Sequence, residues 1–450
     1  LREFGDAEIA TLIAPRRLTV FAVPGPVETV TREIGKEGGA PGRLVSPDPE
    51  SVAREAAKAR ALVAPLGADG WLALVRPGEC KEAPAGLGTA ARRLKGLTRV
   101  PETASREKRL VKGMDGFSQQ LLALSPAARR EFMSRLDFCS PEAYDRSAEW
   151  YRDYYREEIM GRIRATKLPL NPRSRVIDES AAYVCYEVVL DVLPDFALYG
   201  YLLVPKALKP GERRPVIVAQ HGLSGRPRSL MSPEAGGAEA YRAVAPRLAA
   251  RGYVVFVPQN PYAFGDASRQ LQRKANPLKL SLYSLVYAQY EQMFAWLQTL
   301  PFADNAKIAF VGLSYGGKTA VRVPPLMPGF CAAISCGDFN EGVTKMASTL
   351  YPFSFVFHGE YEMFEFDLGN TFNYSDLAGL MAPRPFMAQR GHSDGVAWDE
   401  FVGYEYAHVR RLYARLKMPE RTAIRWFDGG HEIDVDSCVA FFDRFLLDGR

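Results

Sequence analysis

The chain has 450 residues, more than one ordinary domain, so two or three domains or one large fold with additions are expected. Hydrophobic residues make up 47% and charged residues 24%, and no run of about 18 apolar residues occurs, which argues against a membrane span. A formal net charge of +5, with Lys and Arg interspersed among Asp and Glu, gives nucleic acid little support as a partner.

The visible chain opens on Leu1 without a charged n-region, an apolar h-region and a cleavage site, so any signal for a secreted or periplasmic destination would lie upstream. Over residues 1–100 the expected order is turn, strand, helix, strand. LIAPRRLTVFA supplies the turn and first strand, a Gly- and Pro-rich loop follows from Val23, ESVAREAAKARALVAPLG is helical, and WLALV is the second strand. The same order closes the chain in LMAPRPFMAQR, EFVGYEYAHVRRLYARLK and RTAIRWF. With Ala14-Pro15-Arg16 set against Ala382-Pro383-Arg384, a loop insertion brings Glu50 opposite Glu400 and Ala73 opposite Ala423. Residues 1–100 therefore read as the tail of an earlier, similar α/β unit. Lys81 falls opposite His431 in this register and no histidine precedes His221, so the visible part of that unit cannot complete a catalytic triad.

Residues 101–165 are expected to form a helical linker or N-terminal extension. The basic stretch between Ala91 and Gly113 reads as a solvated linker or helix face rather than a phosphate-binding patch. In SAEWYRDYYREEIMG, Trp150, Tyr151, Tyr154, Tyr155 and Ile159 fall near one side of a helix. They either stack sugar rings or pack the helix onto the neighbouring domain, and such stripes are usually core.

From residue 166 to 450 strands alternate with helical stretches. YVCYEVVLDV, LYGYLLVP, RPVIVAQ, GYVVFVPQN, AKIAFVG and FCAAISCGDF are strand-like, and LYSLVYAQYEQMFAWLQTL is a long helix. This pattern implies βαβ units and a mostly parallel sheet with helices on both faces. Cys80, Cys139, Cys185, Cys331, Cys336 and Cys438 are scattered without a CxxC pair, so neither a zinc site nor a disulfide framework is readable.

Gly312-Leu313-Ser314-Tyr315-Gly316 fits G-x-S-x-G directly after an apolar strand and before a helix, the setting in which a sharp turn lifts a serine hydroxyl out of the sheet. Gly312 and Gly316 flank Ser314 because a Cβ there would meet the neighbouring strand and helix. A serine hydroxyl needs a base. Of the five histidines, His221, His358, His392, His408 and His431, only His431 in FDGGHEID follows the last expected strand. Asp394, just after the strand PFMAQ, fits the orienting carboxylate. Asp399 and Glu400 suit the first turn of the next helix, and Asp338 is an outside candidate from the preceding strand. For a tetrahedral oxyanion, Tyr315 N–H is one donor and Leu223 N–H the second, with Gly222 permitting close backbone approach. His221 then reads as a structural residue of its loop. The HE of His431-Glu432 is not a zinc motif, since no HExxH follows.

YGYLLVPK, VIVAQHGLSG, GYVVFVPQNPYAFGD, IAFVGLSYGG, APRPFMAQRGHSDG and FDGGHEI together resemble an α/β-hydrolase of the acetyl xylan esterase and dienelactone hydrolase-like group, from about Tyr183 to the C-terminus. The resemblance implies an eight-stranded, mostly parallel sheet, with Ser314, Asp394 and His431 matching the triad residues. Dienelactone hydrolases proper carry cysteine where this chain has Ser314, which favours serine-ester chemistry over their lactone substrate. The function expected is a serine carboxylic-ester hydrolase working through an acyl-enzyme, with no metal or organic cofactor and a small-molecule or oligosaccharide ester as substrate. Acetylated plant polysaccharide is suggested by the resemblance alone. PYAFGDASRQLQRKANP and YEMFEFDLGNTFNY are candidate lining segments. The alternatives are a peptidase of the prolyl-oligopeptidase type, although no blade-length repeat is visible, and a non-catalytic carbohydrate- or protein-binding module.

Overall fold

The computed structural model describes residues 4–22, 28–30, 42–44, 46–67, 70–76, 78–79, 103–232 and 239–448, and divides into two units, Leu1–Arg106 and Glu107–Arg450. Most of the loop from Val23, together with Cys80, Lys81 and residues 91–102 of the basic stretch, lies outside the described residues.

In the first unit α1 (Asp6–Thr11), β1 (Leu18–Phe21), β2 (Glu28–Val30), β3 (Gly42–Leu44), α2 (Pro49–Val63) and β4 (Leu72–Val75) follow in order. Helix α2 starts where Pro49 needs no N–H partner and the Asp48 carboxylate accepts Glu50 N–H at 3.4 Å and Ser51 N–H at 3.2 Å. Its apolar side, Ala56, Ala59 and Val63, packs with Ala7, Trp71 and Leu72. β1 pairs β4 in parallel, with Leu18 opposite Leu72 and Thr19 opposite Ala73. β2 and β3 form a separate antiparallel pair.

In the second unit α3 (Thr103–Phe132), which begins just before the boundary, and α4 (Pro141–Tyr154) precede β5 (Arg173–Glu179), β6 (Tyr183–Leu193), β7 (Phe196–Pro205) and β8 (Arg214–Gln220). Then come α5 (Val244–Ala250), β9 (Val254–Pro258), α6 (Asp266–Ala275), α7 (Leu282–Leu297), β10 (Ala303–Leu313), α8 (Tyr315–Ala320) and β11 (Phe330–Cys336). The unit ends with α9 (Gly342–Ala347), α10 (Leu368–Thr371), α11 (Tyr374–Gly379), β12 (Phe386–Gly391), α12 (Asp399–Arg415), β13 (Thr422–Phe427) and α13 (Val435–Phe442).

The strands form one sheet in the order β13-β12-β11-β10-β8-β9-β7-β6-β5. Pairing is parallel from β13 to β9 and antiparallel from β9 to β5. Nine strands stand where eight were expected. The additional one is β5, whose residues are all exposed. It lies on the edge with neither face covered, so its sequence lacks the alternation that marks a half-buried strand.

Interior strands read as continuous apolar runs because both faces are covered. Val216 and Val218 of β8 face a core shared with α4, α7 and α12, whereas Ile217 and Ala219 face one shared with α5 and α13. The segment expected to act as a linker belongs to the first of these cores. Tyr144, Tyr151 and Tyr155 are fully buried there, and Tyr144 Oη donates to Gly379 O at 3.1 Å. Only Trp150 of the aromatic stripe is exposed, with Arg135 over its ring at 4.7 Å. Among the described residues no helix is long and apolar enough to cross a membrane.

The order of strands reverses about β8, which has β9 on one side in the sheet and β10 on the other, so the chain crosses over β8 between them. A crevice must open at the carboxyl ends of β8 and β10, where the connections leave in opposite directions. Below it, one turn beyond Ser314, lies a buried ion cluster. The Arg322 guanidinium donates to Glu365 through Nη2 at 2.6 Å and Nε at 3.0 Å, Lys318 Nζ lies 3.2 Å from Glu365, and Tyr155 Oη donates to Glu365 at 2.6 Å. Burial opposes ionisation of Glu365, but the Arg322 and Lys318 charges outweigh it and hold the carboxyl at about 2. Its contribution to stability is present above the unfolded carboxyl pKa and lost as pH falls toward 2. Arg322→Leu would strand the carboxylate, and urea unfolding at pH 7 is expected to show a loss of roughly 3–5 kcal/mol. The deficit should narrow as the pH is lowered and Glu365 protonates more readily in the variant.

Candidate active site

β10 is buried along its last six residues and ends at Leu313, so the next residue must turn out of the sheet. Ser314 does so with φ +59° and ψ −119°, an uncommon conformation for a residue with a side chain. The turn is tight enough that a Cβ on Gly312 would lie 2.4 Å from the Gly316 carbonyl carbon, and one on Gly316 would lie 2.4 Å from Gln220 O. Glycine at both positions is a packing requirement. Ser314 N–H donates to Cys336 O at 2.9 Å, tying the turn to the end of β11.

Beyond β8, His221 is wholly buried. Its Nε2 accepts Asn260 N–H at 3.2 Å and its Nδ1 lies 2.8 Å from Gly222 O, which selects the neutral imidazole with the proton on Nδ1. Desolvation drives its pKa down to about 4. His221 is thus a fastener of its loop. Gly222 passes directly beside the serine, since a Cβ on it would lie 3.0 Å from Ser314 Cβ. Its own N–H is already donated to Tyr241 Oη at 2.8 Å, so Gly222 provides room rather than a hydrogen bond. Tyr315 N–H and Leu223 N–H make no hydrogen bond to another described residue.

Asp394 leaves the carboxyl end of β12 and His431 the loop after β13. Their Oδ2 and Nδ1 are 2.9 Å apart, with the carboxylate fully buried and the imidazole 34% exposed. The approach depends on Gly391, where a Cβ would come within 2.3 Å of Gly430 O, and on Ser393 N–H donating to Gly429 O at 2.9 Å. Burial works against the Asp394 charge, while the His431 hydrogen bond and charge, Val396 N–H at 2.9 Å and Arg390 together bring its pKa below the usual range. His431 continues to Gly337, where a Cβ would be 3.0 Å from both its Cε1 and Nδ1. Gly337 follows Cys336, the residue whose carbonyl takes the Ser314 N–H. Serine and imidazole therefore border the same peptide. Neither Ser314 Oγ nor His431 Nε2 makes a hydrogen bond to another described residue.

The competing carboxylates are engaged elsewhere. Asp399 opens α12 and binds Arg390 Nε at 2.8 Å and His392 Nδ1 at 2.5 Å, Glu400 lies exposed in the same turn, and Asp338 accepts Tyr374 Oη at 2.7 Å. Two cations that sequence reasoning did not select support the acid loop. Arg390 Nη2 donates to Asp394 O at 2.7 Å, and buried Lys345 donates through Nζ to Val396 O at 2.8 Å. Nothing in their sequence neighbourhood marks them, because the loop they hold is formed by the fold. Among the described residues no cluster of His, Cys, Asp and Glu is arranged to hold a metal ion.

Residues 216–350 match the dienelactone hydrolase family, a segment that includes Ser314 and stops before Asp394 and His431. No curated protein matches the chain. A solved structure from Bacteroides fragilis, assigned as an acetyl xylan esterase, is 16% identical with a TM-score of 0.53 over 68% of this chain and 81% of its own. A glucuronoyl esterase from Solibacter usitatus is 16% identical with a TM-score of 0.50 over 67% of this chain and 93% of its own. A CE15 glucuronoyl esterase from Teredinibacter turnerae is 17% identical with a TM-score of 0.52 over 68% of this chain and 86% of its own. At these identities the likeness is one of fold, and the fold is that of an α/β-hydrolase.

Gly337→Ala places a methyl group against the imidazole at a residue with φ +64°. Labelling of Ser314 by a fluorophosphonate is expected to slow by at least ~10-fold, since displacements of about 1 Å can cost that much or more. Urea unfolding should register only about 1–2 kcal/mol.

Proposed function

We propose that residues 166–450 form a serine carboxylic-ester hydrolase. The observation that carries this reading is the 2.9 Å contact between Asp394 and His431, ending on the same peptide that anchors the Ser314 turn. Ser314 Oγ attacks the ester carbonyl while His431 Nε2 takes its proton, and the proton then passes to the leaving alcohol. Asp394 holds the Nδ1–H tautomer and stabilises the imidazolium, and Tyr315 and Leu223 N–H receive the oxyanion. Water repeats the cycle against the acyl group. The fold likeness to carbohydrate esterases supports an ester of a carbohydrate as substrate, acetylated oligosaccharides first among them.

Within the same proposal, residues 1–100 are a partial second copy of the end of this fold, a scaffold without chemistry. Offsetting by 368 residues places the β1 residue Leu18 on Phe386, and each heads its parallel pairing, with Leu72 and Thr422 respectively. The same offset carries α1 onto α11 and the Gly5 N–H to Glu8 hydrogen bond onto that from Asn373 N–H to Asp376.

Acetylated xylo-oligosaccharides, aryl acetates and longer-chain esters, compared by kcat/KM, test the substrate class. Ser314→Ala is expected to lower kcat by roughly 10⁴-fold or more and Asp394→Asn by roughly 10²–10⁴-fold, with KM nearly constant. Hydrolysis by the Ser314→Ala protein at the wild-type rate would refute the reading.

A further inference from the structure

A cavity of about 450 Å³ lies away from the candidate active site, between the C-terminal part of α3, the start of α11 and one face of α12. Its size is that of a small-molecule site. Tyr404, His408, Arg411 and Arg415 recur on α12 at the spacing of a single helix face, and Arg130 of α3 joins them in the lining. Arg130, Arg411 and Arg415 have no carboxylate within ion-pairing distance among the described residues, which sets them apart from most arginines of this unit. The aromatic surfaces are already ordered. Arg415 lies over Phe138 with its guanidinium carbon 3.4 Å from the ring centre, and Tyr404 meets His408 edge to face at 4.9 Å.

The floor is polar and neutralised from within. Arg129 donates to Ser125 Oγ at 2.9 Å and Gly369 O at 2.8 Å, with Glu341 at 3.8 Å and Asp376 at 3.9 Å. Glu405 accepts Ser375 N–H at 2.8 Å and Asn373 Nδ2 at 3.2 Å. Burial first, then the Glu341 charge and more weakly that of Asp376, raises the Glu405 carboxyl to about 8, so it is mainly uncharged at neutral pH. Three guanidiniums without a carboxylate partner thus outnumber the opposing charge of the floor, where Arg129 stands against Glu341 and Asp376. Guanidinium forks match the planar oxygens of carboxylate and phosphate.

We propose that this cavity is a binding site for a small organic anion, held through its carboxylate or phosphate by Arg130, Arg411 and Arg415 and packed against Tyr404 and Phe138. The site does not depend on the ester-hydrolase reading, because none of its residues contacts Ser314, Asp394 or His431.

Calorimetric titration of the full chain with gluconate, glucose 6-phosphate and glucose tests it at low salt. At least one of the two acids is expected to bind at one site per chain with Kd below about 1 mM. Gluconate alone would identify a carboxylate ligand and glucose 6-phosphate alone a phosphate ligand. Glucose should not bind. The double variant Arg411→Gln/Arg415→Gln should weaken binding at least tenfold, whereas Arg444→Gln, at an exposed arginine elsewhere, should leave it unchanged. Absence of binding by both acids, or equal binding by the double variant with an unaltered thermal midpoint, would overturn the proposal.

Discussion

The second unit is organised by backbone approach at the carboxyl edge of its sheet. Five strands end there, and the peptides that leave them come too close for a Cβ to intervene. Gly316 meets Gln220 O, Gly312 meets the Gly316 carbonyl, Gly391 meets Gly430 O, and Gly337 meets the His431 ring. The Gly312 contact closes the turn after β10 on itself, and each of the others joins the end or connection of one strand to that of another. Parallel strands cannot be linked by short turns, so the residues after β8, β10, β11, β12 and β13 are far apart along the chain and can meet only at this edge. Side-chain chemistry at the site follows from these contacts, because they set which loop ends adjoin.

Charge is distributed unevenly around that edge. Arg390 and Lys345 clamp the Asp394 loop through its carbonyls, so the carboxylate is held by cations that do not take its place as hydrogen-bond partner to His431. Beneath the serine, the buried Lys318 and Arg322 share Glu365. Burying charge at this density is costly unless each group is paired, and here the hydrogen bonds from Tyr155 to Glu365 and from Lys318 to Met363 O satisfy the remainder. A cluster that rigid fixes α8, and with it the angle at which the Ser314 turn leaves the sheet.

Much of this was legible from residue types. The motif around Ser314 predicted a turn that only glycines permit, and the structure has positive φ at Ser314 with both flanking glycines in contact. The sequence puts Asp394 just after the strand PFMAQ and His431 after the last expected strand, and in the structure these are β12 and β13, which pair, whereas Asp399 and Glu400 occupy the helix turn their acidity suits. Elements whose signal depends on burial behaved differently. β5 has no buried residue and so no periodicity, whereas the aromatic stripe within residues 101–165, read as a helical linker or N-terminal extension, is of the kind that is usually core, and Tyr151 and Tyr155 are buried. Arg390, Lys345 and the cationic cavity were illegible because their meaning comes from residues distant in sequence.

The opening hundred residues share with this edge the devices that start and close a short helix before a parallel strand pair. In both places a short helix is capped by a carboxylate three residues on, Glu8 for Gly5 and Asp376 for Asn373, and an arginine Nε closes the turn on Ile13 O at 3.3 Å or Met381 O at 3.2 Å. The strands that follow pair in parallel at the same register. These are backbone devices, and both segments keep them. What differs is the residue set at the strand end. In the common register Gly391 and Asp394 fall on Val23 and Pro26, which lie outside the described residues. Valine carries the Cβ that would meet Gly430 O in the second unit, and proline has neither a carboxylate nor an N–H. In the second unit the apolar faces stabilise the β12–β13 pair, whereas Gly391 serves the loop crossing at its end. Packing of the pair and approach of its loops therefore rest on different residues of one supersecondary unit.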